Sequence, residues 1–143
     1  MTRNEASAPP AGDDAGTILV VDDDADTRTI FRAILVHSGF SVIESANGSD
    51  AVDQARSALP QAIVMDASIP GIDGWEATRR IKAGHATGRI PVLAVTALPP
   101  GAARAQAEAA GCDAFLSKPT EPSRVLAEIL RLITISRGGD AAP

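Results

Sequence analysis

The sequence predicts an α/β protein built on a five-stranded parallel sheet. Three observations lead there. Short apolar runs recur five times, alternating with stretches of helical periodicity. The connections between them are short, as in consecutive β–α units. Four of the runs stop abruptly at a polar residue: Val20-Val21-Asp22-Asp23-Asp24, Ile63-Val64-Met65-Asp66, Leu93-Ala94-Val95-Thr96-Ala97 and Phe115-Leu116-Ser117-Lys118-Pro119. Runs bounded in this way read as parallel strands buried on both faces.

Strand one spans 17–21. Helix one follows Asp24, an acid suited to capping a helix start, with Asp26 in the first turn. Ile30, Phe31, Ile34 and Leu35 form its apolar stripe, and Gly39 marks its end. Strand two is 40–44. Helix two covers 49–58 and stops before Pro60. Strand three is 62–65, with Asp66 at its end. Helix three covers 74–83 and stops at Gly84. Strand four is 90–95. The linker Leu98-Pro99-Pro100-Gly101 is stiffened by two prolines, and Pro100 suits a first helical position. Helix four, 102–110, is mostly Ala with little to anchor it. Strand five is 114–117. Helix five starts near 123 and carries Val125, Leu126, Ile129, Leu130 and Ile133.

Strict β–α alternation implies a parallel sheet with helices on both faces. Five units suit the doubly wound order 2-1-3-4-5, a flavodoxin-like three-layer α/β/α arrangement. Its switch point lies between strands one and three. One domain, residues 17–135, accounts for most of the 143 residues. Residues 1–16 are rich in Ala, Pro, Gly and Asp, a composition that predicts a disordered tail, and 136–143 reads as a C-terminal tail.

Hydrophobic residues make up 45% of the chain, enough for a globular core, and the formal net charge is −5. An acidic balance argues against a nucleic-acid partner, which would call for clustered Lys and Arg. The single cysteine, Cys112, leaves no intramolecular disulfide and fits a reducing cytoplasm. The N-terminus lacks the apolar segment of a signal peptide, and no apolar run reaches membrane-spanning length.

Parallel strands point the same way, so their carboxyl ends meet at one edge, where open α/β sheets bind ligands. That edge gathers Asp22, Asp23, Asp66, Thr96 and Lys118. Clustered acids repel one another, and a hard cation such as Mg²⁺ relieves them. One acid can serve as nucleophile, while Thr and Lys can hold an anion. Taken singly, Asp66 would read as a turn residue, Thr96 as a cap and Lys118 as a surface lysine. Trp75 and Cys112 read as packing, and His37 and His85 as helix-end or loop residues.

In order and spacing these residues resemble the receiver domain of bacterial two-component response regulators, over about residues 17–135. The resemblance implies that Asp66 accepts a phosphoryl group from a sensor histidine kinase or histidine phosphotransfer protein. It implies Mg²⁺ held directly by Asp23 and Asp66, through water by Asp22, and by the backbone carbonyl of Ser68. Thr96 would bond a phosphoryl oxygen, Lys118 would pair with Asp66 or the phosphoryl group, and Lys118-Pro119 would be cis. Phe115 would turn inward as Thr96 moves, altering a partner-binding face made of helix four, strand five and helix five. Ser68 and Leu98 would flank the path of a hydrolysing water. Such a chain is a signalling module in the cytoplasm and not an enzyme, acting by protein–protein interaction or by phosphorelay. Two other readings are a receiver from a hybrid histidine kinase and a Mg²⁺-dependent phosphatase resembling the haloacid dehalogenases. The latter carry their nucleophilic Asp on strand one in a D-x-D-x-T/V pattern, which Asp22-x-Asp24 only begins.

Overall fold

The computed structural model describes residues 15–141. Ten elements alternate along the chain: β1 (Thr17–Val21), α1 (Ala25–His37), β2 (Ser41–Ser45), α2 (Gly48–Ala58), β3 (Ala62–Asp66), α3 (Gly74–Ala83), β4 (Val92–Thr96), α4 (Pro100–Ala110), β5 (Ala114–Ser117) and α5 (Pro122–Ala141). All pairings are parallel, and the sheet order is β2-β1-β3-β4-β5, the expected 2-1-3-4-5.

The strands sort the core into two faces by simple alternation. Ile18, Val20, Val64, Leu93 and Val95 pack under α1 and α5, against Phe31, Leu35, Val125 and Ile129. Leu19, Val21, Ile63, Met65 and Val92 pack under α2 and α3, against Ala51, Val52, Ala55, Ala77 and Ile81. A smaller cluster joins α3 to α4, where Trp75 meets Ala67, Ala94, Ala107 and Ala110. With every central strand buried on both sides, the ends of the strands are where polar chemistry can sit.

Several boundaries differ from the expected ones for local reasons. β2 starts at Ser41 because the Phe40 N–H donates to Leu35 O at 3.1 Å, closing α1. β4 starts at Val92, two residues late, since Pro91 has no N–H to give the ladder. α4 starts at Pro100, which takes the first helical position; Pro99 before it provides no side-chain cap. α5 starts at Pro122 for the same reason.

Both tail boundaries move. The Gly16 carbonyl accepts the Ser41 N–H at 2.9 Å, and Ala15 packs on the core, so these two residues belong to the fold. The rest of the 1–16 tail lies outside the described residues. At the other end α5 continues to Ala141, so residues 136–141 extend the helix. Adding a residue to a formed helix is far easier than starting one, and Ser136 is still half-buried.

Candidate functional site

Asp22 directly follows β1 and is buried at 5% exposure, and β3 ends in Asp66 at 3%. These strands are adjacent in the sheet, with Val21 opposite Met65. Carboxylate oxygens of Asp22, Asp23 and Asp66 accordingly lie within 4.8 Å of one another. Asp23 is exposed. Asp24 turns away from the group. It caps α1, accepting from the Asp26 N–H at 3.3 Å and the Thr27 hydroxyl at 2.6 Å.

Asp66 is held through one oxygen. Its Oδ1 accepts from the Lys118 ammonium and from the Ser68 N–H, both at 3.0 Å. Oδ2 accepts no hydrogen bond among the described residues, and neither does the Ser68 carbonyl. Lys118 arrives from the end of β5, where its N–H donates to Thr96 O at 2.7 Å and the Lys118-Pro119 bond is cis. The side chain of Thr96, buried at 3% exposure, accepts the Leu98 N–H at 3.1 Å through Oγ1.

Burial pushes the Asp22 carboxyl above its ordinary pKa, and the charges on Asp66 and Asp23 push the same way. The Asp24 N–H and Lys118 oppose the shift without cancelling it. The set fits a hard divalent cation: three oxygen donors converge, two of them buried, with one nearby cation. Asp22, Asp23, Asp66 and the Ser68 carbonyl could hold it.

Phe115 is half-buried, with the Arg104 guanidinium 5.7 Å from its ring centroid. Since Ala94 stands opposite Phe115 and Thr96 opposite Ser117, Phe115 and Thr96 project from the same side of the sheet. Leu98 is half-buried beside the Trp75 cluster. Trp75 is core, 8% exposed. Cys112 is half-buried, its thiol pushed up to about 11 by burial, so it rests protonated. His37 and His85 are exposed, at the end of α1 and in the turn after α3.

The sequence reading passed over two features. A Cβ on Gly74 would run into the Asp66 carbonyl oxygen, so α3 starts as close to the acceptor strand as glycine permits. Arg28 donates to the Asp22 carbonyl at 2.7 Å. Both act through backbone atoms, which residue-type patterns do not display.

Comparison with known proteins decides the family. Residues 18–130 match the response regulator receiver domain. The chain belongs to that family. The polar-differentiation response regulator DivK of Brucella anthropi is 33% identical over 113 residues, which are 79% of this chain and 92% of DivK. The receiver domain of a sensor histidine kinase from Pseudomonas aeruginosa, solved with magnesium coordinated in its active-site cleft, is 33% identical. It superposes with a TM-score of 0.76, covering 83% of this chain and 98% of its own. The chemotaxis response regulator CheY4 of Vibrio cholerae is 25% identical, with a TM-score of 0.77 over 81% and 97% of the two chains. Receiver domains are signalling modules of two-component systems, served by sensor histidine kinases and phosphotransfer proteins. The dehalogenase-like phosphatase reading finds no support, since the match is to a family with another site plan. Among the described residues no helix is long and apolar enough to cross a membrane.

Proposed function

We propose that this chain is a phosphorylation-controlled response regulator whose acceptor is Asp66. One observation carries the reading. Asp66 is buried, tethered through Oδ1 by Lys118 and the Ser68 N–H, and left with a second oxygen beside two further acids. A carboxylate so placed is aimed and has one oxygen to offer.

In the reaction, an Asp66 oxygen attacks the phosphorus of a phosphohistidine. The P–N bond breaks, the imidazole leaves neutral because its other ring nitrogen already carries a proton from solvent, and an acyl phosphate forms. Asp22, Asp23, Asp66 and the Ser68 carbonyl would hold Mg²⁺, which would supply positive charge where a carboxylate meets a phosphoryl group. Lys118 keeps a cation on the acceptor and then pairs with the phosphoryl oxygens. The Thr96 hydroxyl has its proton free to donate to one of them, because Oγ1 is used only as an acceptor.

The signal leaves through the face of α4, β5 and α5, toward a protein partner or a further histidine in a relay. Two features support that face. α4 has no side-chain cap, no acid in its first turn and no base in its last, so its ends are weakly anchored. Between it and α5 runs a groove of ≈ 380 Å³ carrying Arg104, Arg124, Arg131, Glu108 and Glu128. Phe115 and Thr96 connect the site to it. The protein acts in the cytoplasm and turns over no substrate of its own, assisting only its own phosphorylation and dephosphorylation.

Incubation with a small acyl phosphate and Mg²⁺ tests this. Wild type should gain one phosphoryl mass and Asp66→Asn none. Equal labelling of the two would remove Asp66 as acceptor.

A further inference from the structure

The acid pair is gripped from behind by an arginine to which no role has been given. Arg28 lies one turn into α1, and its side chain folds back over the helix start. Nη1 donates to the Asp22 carbonyl at 2.7 Å, and Nε donates to Glu44 Oε1 at 2.9 Å. The Arg28 side chain is only 18% exposed. Arg32 takes the other Glu44 oxygen at 3.1 Å, so this carboxylate is braced from two sides. Although burial works against it, the two arginines hold the Glu44 carboxyl below its ordinary range. The end of β2 is itself fixed, because Gln54 Nε2 donates to the Glu44 carbonyl at 2.6 Å. The Asp22 N–H donates to Ser45 O at 3.1 Å. Asp22 is thereby held at its N–H by β2 and at its carbonyl by α1.

The consequence falls on Asp23. The oxygen that Arg28 grips belongs to the peptide joining Asp22 to Asp23. A peptide group is planar, so fixing its oxygen fixes the plane from which the Asp23 Cα departs. The Asp23 carboxylate accepts no hydrogen bond among the described residues, so the backbone, which sets its Cα–Cβ direction, is what aims it. Asp22 has its own tether, with Oδ1 accepting the Asp24 N–H at 2.9 Å.

We propose that Arg28, braced by Glu44, is a positioning residue that aims Asp23 and makes the acid cluster selective for Mg²⁺ over Ca²⁺. The inference rests on the metal site described under the proposed function. Mg²⁺ demands near-ideal octahedral geometry at roughly 2.0–2.1 Å, whereas Ca²⁺ accepts irregular shells at roughly 2.3–2.6 Å. Loosening the Asp22–Asp23 peptide therefore costs Mg²⁺ more than Ca²⁺. A change of nearby charge moves both ions together, because they carry the same charge. An arginine that merely anchored α1 would change stability and leave the ratio of affinities alone.

Calorimetric titration of the full chain with MgCl₂ and with CaCl₂, at fixed ionic strength, tests this. Arg28→Lys keeps the charge and loses the planar fork that reaches both partners at once. It should weaken Mg²⁺ binding about tenfold, the low end for groups that orient metal ligands. Ca²⁺ binding should weaken less than about threefold, since its shell adapts. Glu44→Gln, which leaves the guanidinium unbraced, should shift the ratio the same way by a smaller factor. Parallel losses for the two ions in Arg28→Lys, or no loss of Mg²⁺ affinity, would overturn the inference while leaving the metal site standing. If Asp23→Ala binds both ions as wild type does, the metal site fails and takes the inference with it.

Discussion

Replacing Asp22 with Asn should stabilise the metal-free protein. Asn is nearly the same shape and keeps an oxygen to accept the Asp24 N–H. What it removes is a charge that sits at 5% exposure beside two others. Carboxylate oxygens of Asp22, Asp23 and Asp66 lie within 4.8 Å of one another. Two unit charges at that separation repel by about 3.5 kcal/mol at an effective dielectric near 20, and by about 0.9 kcal/mol near 80. Lys118 returns part of this through its bond to Asp66. A net gain of about 1–3 kcal/mol follows, or a rise in Tm of about 3–10 °C for a domain of this size. The assay is thermal or urea unfolding with a chelator present, repeated with excess Mg²⁺, where the gain should shrink or reverse. Acidity supplies a second signature. The folded state raises the Asp22 pKa above 3.8, so it holds that proton more tightly than the unfolded chain does. The penalty is full above the folded value and fades as pH falls through it toward 3.8. The difference between wild type and variant should fade over the same window. An Asp22→Asn protein no more stable than wild type without metal would refute the argument that these acids are held together against their repulsion.

Lys118→Ala should leave Mg²⁺ affinity unchanged or raise it, because a cation leaves the neighbourhood of three acids, while phosphorylation by a small donor slows. Titration calorimetry and a labelling time course separate the two effects. Trp75→Ala should cost about 3–5 kcal/mol in urea unfolding, as buried aromatics do, without a matching loss of Mg²⁺ affinity. Gly74→Ala should both destabilise the fold and slow labelling, because the added methyl meets the carbonyl of Asp66 itself; a fully active, fully stable Gly74→Ala would mean that α3 shifts freely.

The strand order and the acid edge were legible because both follow from residue type. Short runs such as Ile63-Val64-Met65, bounded by polar or turn residues, read as buried strands, and their ends deliver Asp66, Thr96 and Lys118 to one side. Element boundaries were less so. Pro91 shortened β4 by withholding an N–H, while Pro100 and Pro122 lengthened their helices by taking first positions. The composition of 136–143 reads as a tail, whereas α5 continues to Ala141, because a helix already running can absorb Gly138 and Gly139 at about 1 kcal/mol each. Arg28, Glu44 and Gly74 were invisible for another reason. They bear on the site through the Asp22 and Asp66 carbonyls, and a carbonyl looks the same in every residue. The contact of Arg104 with Phe115 likewise joins two elements whose relative placement only the folded chain reveals.

The most direct test of Asp66 as acceptor uses a phosphoramidate, whose P–N bond reproduces that of phosphohistidine. Wild-type protein is incubated with it in the presence and absence of Mg²⁺, and the modified residue is mapped by tandem mass spectrometry after trapping the acyl phosphate. Expected is a single Mg²⁺-dependent modification on the peptide containing Asp66, at Asp66. A modification at Asp22, Asp23 or a histidine, or labelling indifferent to Mg²⁺, would contradict it.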